Sequence, residues 1–154
     1  HTPMKKIVSG VIALVMLFTF ISVGASAAEA KRMLDLVDMP NLKILWDVMH
    51  SVEFKETPEE SLQILKGCLA HVHWKDGRPG DDADLCEFVH TDLGAGTMPL
   101  KELLQLLNDV KYEGYFSLEW ESPWRPEIRE LYSDPAVLLQ KYNGLLDEAE
   151  VQRI

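Results

Sequence analysis

Three short strand-like runs constrain the fold of this 154-residue chain more than any other feature, because each carries a metal-binding residue type at or near its end. A helical pattern separates each run from the next. The runs are Ile44–Asp47, His71–Asp76 and Phe116–Glu119. Alternation of strands and helices predicts a parallel sheet with right-handed crossovers. In a β/α barrel the C-terminal ends of the strands converge, so Asp47, His73 and Glu119 are predicted to meet there.

Period-2 alternation divides the side chains of these runs into two faces. We expect the polar face to point into the barrel and the apolar face to lie beneath the helices. The polar face is predicted to hold Leu45, Asp47, His71, His73, Lys75, Ser117 and Glu119, and the apolar face Trp46, Trp74, Phe116 and Leu118.

Four short motifs follow one another over about residues 30–145. They are Trp46-Asp47-Val48-Met49-His50, His71-Val72-His73-Trp74-Lys75-Asp76, Leu93-Gly94-Ala95-Gly96 with Pro99-Leu100, and Gly114-Tyr115-Phe116-Ser117-Leu118-Glu119. In this order they resemble the WD-x-x-H, H-x-H-x-K-D, LG-x-G and G-Y-x-S-L-E motifs of the xylose isomerase-like TIM barrel family, which includes sugar phosphate isomerases and epimerases. Several motifs in a family's order are more specific than one alone. The resemblance implies an α/β fold: the C-terminal half of a (β/α) barrel, with about three parallel strands and flanking helices.

The resemblance also implies a metal site and a reaction. Asp47, His73 and Glu119 would bind a divalent ion, Glu119 would also be the catalytic base, and His50 would approach the substrate. Two carboxylates and one imidazole suit Mn²⁺, Mg²⁺ or Co²⁺, with zinc less favoured. The ion would polarise the carbonyl of a small sugar or sugar phosphate, which eases removal of a proton from the adjacent carbon. The implied activity is a metal-dependent sugar isomerase or epimerase.

Several of these residues also have simpler interpretations. Asp47 would be a strand-end turn residue and His50 a loop histidine without a partner. Lys75 either binds the substrate or pairs with a nearby carboxylate. His71 is predicted to be a hydrogen-bonded packing residue, deeper in the barrel than His73. Further candidates near the mouth are Glu121 and Arg125, interpreted as a solvated loop pair, and Arg78 and His90, interpreted as lid residues in the long loop 76–96.

The first 27 residues have the features of a targeting segment. Residues 1–3 precede the first methionine and are interpreted as an expression or translation remnant. Residues 4–27 combine a cationic start, an apolar stretch and the small-residue pattern Ala25-Ser26-Ala27, which is typical of a signal peptide. Cleavage would leave residues 28–154 as a secreted or periplasmic protein. The alternative is an uncleaved membrane anchor, since the apolar stretch approaches spanning length.

The chain is too short for a complete barrel of this kind, which needs about 250 residues. The family's fourth ligand, a glutamate at the preceding strand end, has no counterpart upstream of Asp47, because Glu29 is predicted to lie on a helix. Three parallel strands do not close, and their free edges favour pairing. The sequence therefore predicts either that another copy or a second half-barrel completes the structure, or that the chain is a truncated or fused gene product.

The net charge of −10, from 25 acidic and 15 basic residues, excludes some classes of function. It disfavours nucleic acid as a partner, since phosphate binding needs a basic surface. It is compatible with a cation site and a small polar substrate. Two alternatives to an isomerase stay open: a non-catalytic secreted fragment that binds carbohydrate or a partner protein, and a metallohydrolase from the endonuclease branch of the same barrel superfamily. The second ranks last, because that branch needs more ligands and a basic groove.

Overall fold

The structure is a computed structural model that describes residues 25–81, 88–123, 125–132 and 134–148. Most of the predicted signal peptide lies outside these ranges, and within them no helix is both long and apolar enough to cross a membrane. In chain order the elements are α1 Ala27–Val37, β1 Ile44–Asp47, α2 Val48–Glu53, α3 Pro58–Leu65, β2 Leu69–Trp74, β3 Gly77–Pro79, β4 Phe88–His90, α4 Leu100–Asp109, β5 Tyr115–Leu118, α5 Pro126–Arg129 and α6 Pro135–Glu148.

Strands β1, β2 and β5 form a parallel sheet in that order, as the alternation of strands and helices predicts. The register places Asp47 opposite His73, and His73 opposite Ser117. The ladder continues one residue past β5, because the Glu119 N–H donates to the Trp74 carbonyl at 3.0 Å. The three strand ends are therefore level, which brings the predicted site residues to one edge of the sheet.

The apolar face of this sheet packs beneath the helices, as predicted. Trp46 is 4% exposed, and Val72 and Trp74 are fully buried. The Trp74 ring centre lies 5.1 Å from that of Phe116 and 5.4 Å from that of Tyr142 in α6. Burial of one large apolar side chain contributes roughly 1.5–3 kcal/mol. This face therefore holds the helices onto the sheet.

The opposite face of the sheet is polar and stays partly open to solvent. The partly exposed side chains on it are Leu45, His71, His73, Ser117 and Glu119. Tyr115, which shares this face at the start of β5, is 79% exposed. In a closed barrel such side chains form a packed interior. Strands β1 and β5 are the two edges of the described sheet, so this sheet is open within the described residues.

The starts of α1 and α3 follow the capping chemistry of the sequence. Thr57 and Glu60 form a capping box at the start of α3, with Pro58 at the first helical position. Ser26 and Glu29 form a second capping box at the start of α1. Glu29 therefore lies on a helix, as predicted, and not at a strand end.

Two connections differ from the sequence-based expectation. The segment after Asp47, in which His50 was interpreted as a loop residue, forms α2, because the Asp47 side chain caps that helix. The long loop 76–96 contains the antiparallel hairpin β3–β4. Both elements are too short to show a hydrophobic period in the sequence.

Candidate active site

The Lys75 ammonium lies between two carboxylates at the C-terminal edge of the sheet. Its Nζ is 2.8 Å from Asp47 Oδ2 and 2.7 Å from Glu119 Oε2. The Lys75 side chain is only 4% exposed. Of the two interpretations left open for Lys75, the structure shows the pairing with carboxylates.

Asp47 uses its two carboxylate oxygens differently. Oδ1 accepts the Met49 N–H at 3.0 Å and so caps α2. Oδ2 contacts Lys75 Nζ and lies 3.3 Å from His50 Nε2. Asp47 is therefore a strand-end cap, as the simpler interpretation predicts, while its second oxygen faces the polar cluster.

His73 lies beside Glu119. Its Nδ1 is 3.5 Å from Glu119 Oε2, and its ring meets the His71 ring edge-on with the centres 4.9 Å apart. His71 Nε2 and Ser117 Oγ are hydrogen-bonded at 2.7 Å, so His71 is the packing residue that the sequence predicts. The structure thus joins Asp47 and Glu119 through Lys75 and places His73 next to Glu119.

The donor types in this cluster fit the divalent ion that the resemblance implies. Two carboxylates and an imidazole are hard and borderline ligands. Within the described ranges, however, no group of three or more His, Cys, Asp or Glu side chains is arranged to hold an ion. The cation between Asp47 and Glu119 is the Lys75 ammonium. Asp47, His73 and Glu119 are the residues that would hold a metal ion if this ammonium moved.

The charges in the cluster shift the pKa values of its members. Burial alone would lower the pKa of Lys75, but the Asp47 and Glu119 carboxylates raise it above its ordinary value. Burial acts to raise the pKa of Glu119, yet the His73 hydrogen bond and the Lys75 ammonium hold it well below its usual range. Burial raises the pKa of Asp47 against the attraction of Lys75. The contact therefore favours the charged forms of both Lys75 and Glu119.

His50 contacts two acidic side chains. Its Nδ1 is 2.6 Å from Glu53 Oε2, and its Nε2 is 3.3 Å from Asp47 Oδ2. The hydrogen bond to Glu53 raises the pKa of His50, with help from Asp47 and against the effect of burial. His50 lies in α2, three residues after Asp47 and three before Glu53, so the helix places all three side chains together. The interpretation of His50 as a loop histidine without a partner is wrong.

Glu121 is a site residue whose environment the sequence does not reveal. Its side chain is 17% exposed, and its Oε2 lies 3.5 Å from Lys75 Nζ, 3.2 Å from His90 Nε2 and 3.5 Å from Arg125 Nε. The predicted pairing of Glu121 with Arg125 is present, but Glu121 is not solvated as expected, because the hairpin brings the buried His90 against it. His90 itself lies in β4 and is not an exposed lid residue, whereas Arg78 in β3 is exposed. Burial lowers the pKa of His90, and Lys75 and Arg125 lower it further.

Asp76 joins two of the sequence motifs. Its Oδ2 accepts the N–H groups of Gly94 and Gly96 at 2.7 and 3.1 Å. Its Oδ1 accepts those of Gly77 and Met98 at 2.8 and 3.3 Å. The final aspartate of the H-x-H-x-K-D motif therefore holds the LG-x-G loop beside the site. In the sequence, this contact was indicated by the occurrence of the two motifs together.

Neither of two cavities offers a sugar pocket at the site. The cavity beside Asp47 and His50 has a volume of about 50 Å³, which is room for a water or two. A larger cavity of about 380 Å³ is lined by Leu69 and Gly114. It lies at the opposite end of the strands, away from the carboxylates.

Comparison with protein families gives one match over most of the chain. A family model described as the xylose isomerase-like TIM barrel matches residues 10–141. Fructoselysine 3-epimerase from Escherichia coli O157:H7 is 30% identical over 129 residues, which are 84% of this chain and 44% of the relative. The enzyme of the same name from Shigella flexneri matches to the same extent. The chain thus spans less than half the length of these curated relatives.

Solved structures show the same fold. D-allulose 3-epimerase from Methylomonas sp., in complex with D-allulose, matches with a TM-score of 0.63 and 20% identity, over 80% of this chain and 42% of that one. A xylose isomerase domain protein from Planctomyces limnophilus matches with a TM-score of 0.62 and 22% identity, over 82% and 43%. At such identities the likeness concerns the fold alone.

Proposed function

Because the chain belongs to the xylose isomerase-like TIM barrel family, we propose that it is the C-terminal half of a divalent-metal-dependent sugar isomerase or epimerase. One observation carries this proposal. Asp47 and Glu119, from different strands, lie 2.8 and 2.7 Å from the Lys75 ammonium at the C-terminal edge of the sheet, so both carboxylates converge on one cationic group. Barrels of this type hold their active sites at that edge. The curated relatives, named as fructoselysine 3-epimerases, support a sugar substrate.

In this proposal each residue has a stated role. Asp47, His73 and Glu119 hold the ion, and His50 binds an oxygen of a small sugar or sugar phosphate, while Lys75 is paired with carboxylates and does not reach the substrate. When bound, a Mn²⁺, Mg²⁺ or Co²⁺ ion polarises the substrate carbonyl.

Glu119 removes the proton from the carbon next to the carbonyl. Its side chain is 29% exposed, so a substrate can reach it. Transfer through two bases needs a carboxylate on the other side of the substrate. We assign that carboxylate to the completing chain, either a second copy or a second half-barrel.

Solvent isotope exchange tests the reaction. A panel of ketoses and ketose phosphates is incubated with the protein and Mn²⁺ in D₂O, and mass spectrometry follows the gain of deuterium. Glu119→Gln is expected to abolish the gain. Glu113→Gln, an exposed carboxylate just before β5, is the matched control and should retain it. Equal exchange by the wild type and Glu119→Gln would contradict the proposal.

Titration calorimetry with Mn²⁺ tests the metal site separately. Asp47→Asn keeps an acceptor for the Met49 N–H, so α2 stays capped, but it removes a charged ligand. We expect this variant to lose most of the heat that the wild type gives. If the two proteins give the same heat, or the wild type gives none, Asp47 is not a metal ligand.

One observation favours a second candidate function. The Lys75 ammonium already neutralises Asp47 and Glu119, as it would in a non-catalytic module that binds carbohydrate or a partner protein. Sugar binding without metal-dependent heat and without deuterium gain would support this candidate over the isomerase.

We also propose export of the chain through the signal peptide predicted at residues 4–27. The family match starts at residue 10 and so overlaps this segment. Cleavage after Ala27 would remove Ser26, which caps α1, and the Ala27 N–H, which donates to the Glu56 carboxylate at 3.0 Å. Loss of the cap costs about 1 kcal/mol. Mass spectrometry of the secreted or periplasmic protein should find Ala28 at its N-terminus, and an uncleaved N-terminus would contradict the proposed cleavage.

A further inference from the structure

We infer that Lys75 is a built-in cation that holds Asp47 and Glu119 together without metal and moves to Glu121 when a divalent ion binds. The inference rests on the proposed metal site, since it concerns how this chain makes room for the ion. It gives Glu121 a role in metal binding without making it a ligand.

The position of the ammonium is the first step. Lys75 Nζ lies 2.8 Å from Asp47 Oδ2 and 2.7 Å from Glu119 Oε2, the same two carboxylates that are proposed as ligands. A metal ion that binds both carboxylates must displace the ammonium from at least part of this space. Metal binding is therefore an exchange of one cation for another.

The burial of Lys75 is the second step. The side chain is 4% exposed, so a displaced ammonium does not return to bulk water without a larger rearrangement. A buried charge that loses its partner is strongly destabilising. The exchange thus requires another carboxylate within reach of Nζ.

Glu121 is that carboxylate. Its Oε2 is already 3.5 Å from Lys75 Nζ, and a shift of less than about 1 Å would give a charge-assisted hydrogen bond. The same Oε2 atom also lies 3.2 Å from His90 Nε2 and 3.5 Å from Arg125 Nε. The receiving site is therefore built before the metal arrives.

This arrangement predicts opposite effects for two substitutions. Lys75→Met removes the competing cation, so Mn²⁺ should bind about tenfold more tightly than to the wild type. Glu121→Gln removes the receiving charge, so the ammonium stays on Asp47 and Glu119 and Mn²⁺ should bind more weakly. Lys75→Arg keeps the charge and should not give the tighter binding of Lys75→Met.

A double-mutant cycle separates exchange from a simple charge effect. Glu121→Gln also removes a negative charge near the metal, which weakens binding in any background. If the ammonium moves to Glu121, Glu121→Gln should weaken Mn²⁺ binding much less in the Lys75→Met background than in the wild type. Titration calorimetry with Mn²⁺ measures all four affinities, and thermal unfolding by circular dichroism checks that each variant is folded.

A second measurement needs no Lys75 variant. The NMR signal of the Lys75 Cε and Nζ groups in the wild type should shift on addition of diamagnetic Mg²⁺, and in Glu121→Gln this shift should be much smaller.

The inference would be overturned if Glu121→Gln weakened Mn²⁺ binding equally in the wild type and in Lys75→Met, or if Lys75→Met bound Mn²⁺ more weakly than the wild type. Either result would leave the proposed metal site intact. Absence of Mn²⁺ binding by every variant would instead overturn the proposed function, and this inference with it.

Discussion

Asp76 shows how much a single buried carboxylate can organise. It is 2% exposed and accepts four backbone N–H groups, two on each oxygen. Asp76→Asn keeps the shape but replaces one acceptor oxygen with an NH₂ donor, which faces two other donors. Each buried group left unsatisfied costs about 1–3 kcal/mol. We therefore expect urea unfolding to show a loss of about 2–4 kcal/mol.

The matched control for this prediction is Asp35→Asn. Asp35 is 61% exposed and pairs with Lys31 at 2.6 Å. An exposed pair of this kind contributes little to stability. If the two asparagine variants lose the same stability, the Asp76 carboxylate does not hold the glycine loop.

His50 and Glu53 give a second prediction at the residue level, which concerns pH. The Glu53 hydrogen bond raises the pKa of His50 above its ordinary value. Because the pKa of His50 is higher in the folded than in the unfolded protein, protonation of His50 stabilises the fold. This contribution is complete below about pH 6.5, the pKa in the unfolded chain, and is lost as the pH rises through the pKa in the folded protein. Glu53→Gln should therefore lower the pKa of His50 in an NMR titration.

The stability data should show the same sign. Glu53→Gln should cost more stability in mildly acidic buffer than in mildly alkaline buffer, where His50 is neutral in both proteins. His71 is the internal control, because burial, followed by His73, lowers its pKa independently of Glu53. An unchanged His50 titration would show that Glu53 is not its partner in solution.

At the scale of elements, alanine substitutions at the glycines of the LG-x-G loop test how closely this loop approaches Asp76. A Cβ on Gly96 would lie 2.1 Å from Asp76 Oδ1 and 2.4 Å from the Gly77 carbonyl oxygen. Gly96→Ala must therefore push the loop away from Asp76, at a cost of about 1–3 kcal/mol or more. Gly94 has open space around it but a φ of +79°, so Gly94→Ala should cost about 1–2 kcal/mol of backbone strain.

Gly67→Ala is the control for these two substitutions. A Cβ there meets nothing within 4 Å, so the change should be neutral or slightly stabilising. Chemical denaturation of the three variants should rank them in the order Gly96, Gly94 and Gly67, from the greatest loss to the least. Any other order would contradict the close approach of the loop to Asp76.

Which elements the sequence predicts depends on how local their causes are. Strand β1 and helix α3 were predictable, because alternation and the Thr57–Glu60 capping box lie within a few residues. Helix α2 was not, since six residues are too few to show a period and its cap is the site residue Asp47.

The site residues, too, differ in how far their positions could be predicted from local sequence. The meeting of Asp47 and Glu119 was predictable from strand parity and a shared sheet edge. The position of Lys75 between them was only one of two open interpretations, because it depends on the distances between strands. The burial of Glu121 was missed, since His90 approaches it from a hairpin remote in sequence.

For the whole molecule, the open inner face of the sheet is the feature with the largest consequence. Tyr115 shares that face with Ser117 and Glu119 and is 79% exposed, although inward side chains of a barrel are normally packed. Strands β1 and β5 are the edges of the described sheet, and free edges favour pairing. These observations support the proposal that another copy or half-barrel completes the fold.

Sedimentation over a range of concentrations tests completion by a second copy. We expect reversible association, because pairing of two open sheets would cover Tyr115 and the polar inner face. Tyr115→Lys should raise the dissociation constant by about tenfold or more, since a buried charge at the junction is unpaired. Val137→Lys, on a 51% exposed residue of α6, is the control and should associate like the wild type. A wild-type chain that stays monomeric at every concentration would rule out pairing between copies and leave a separate half-barrel as the completing partner.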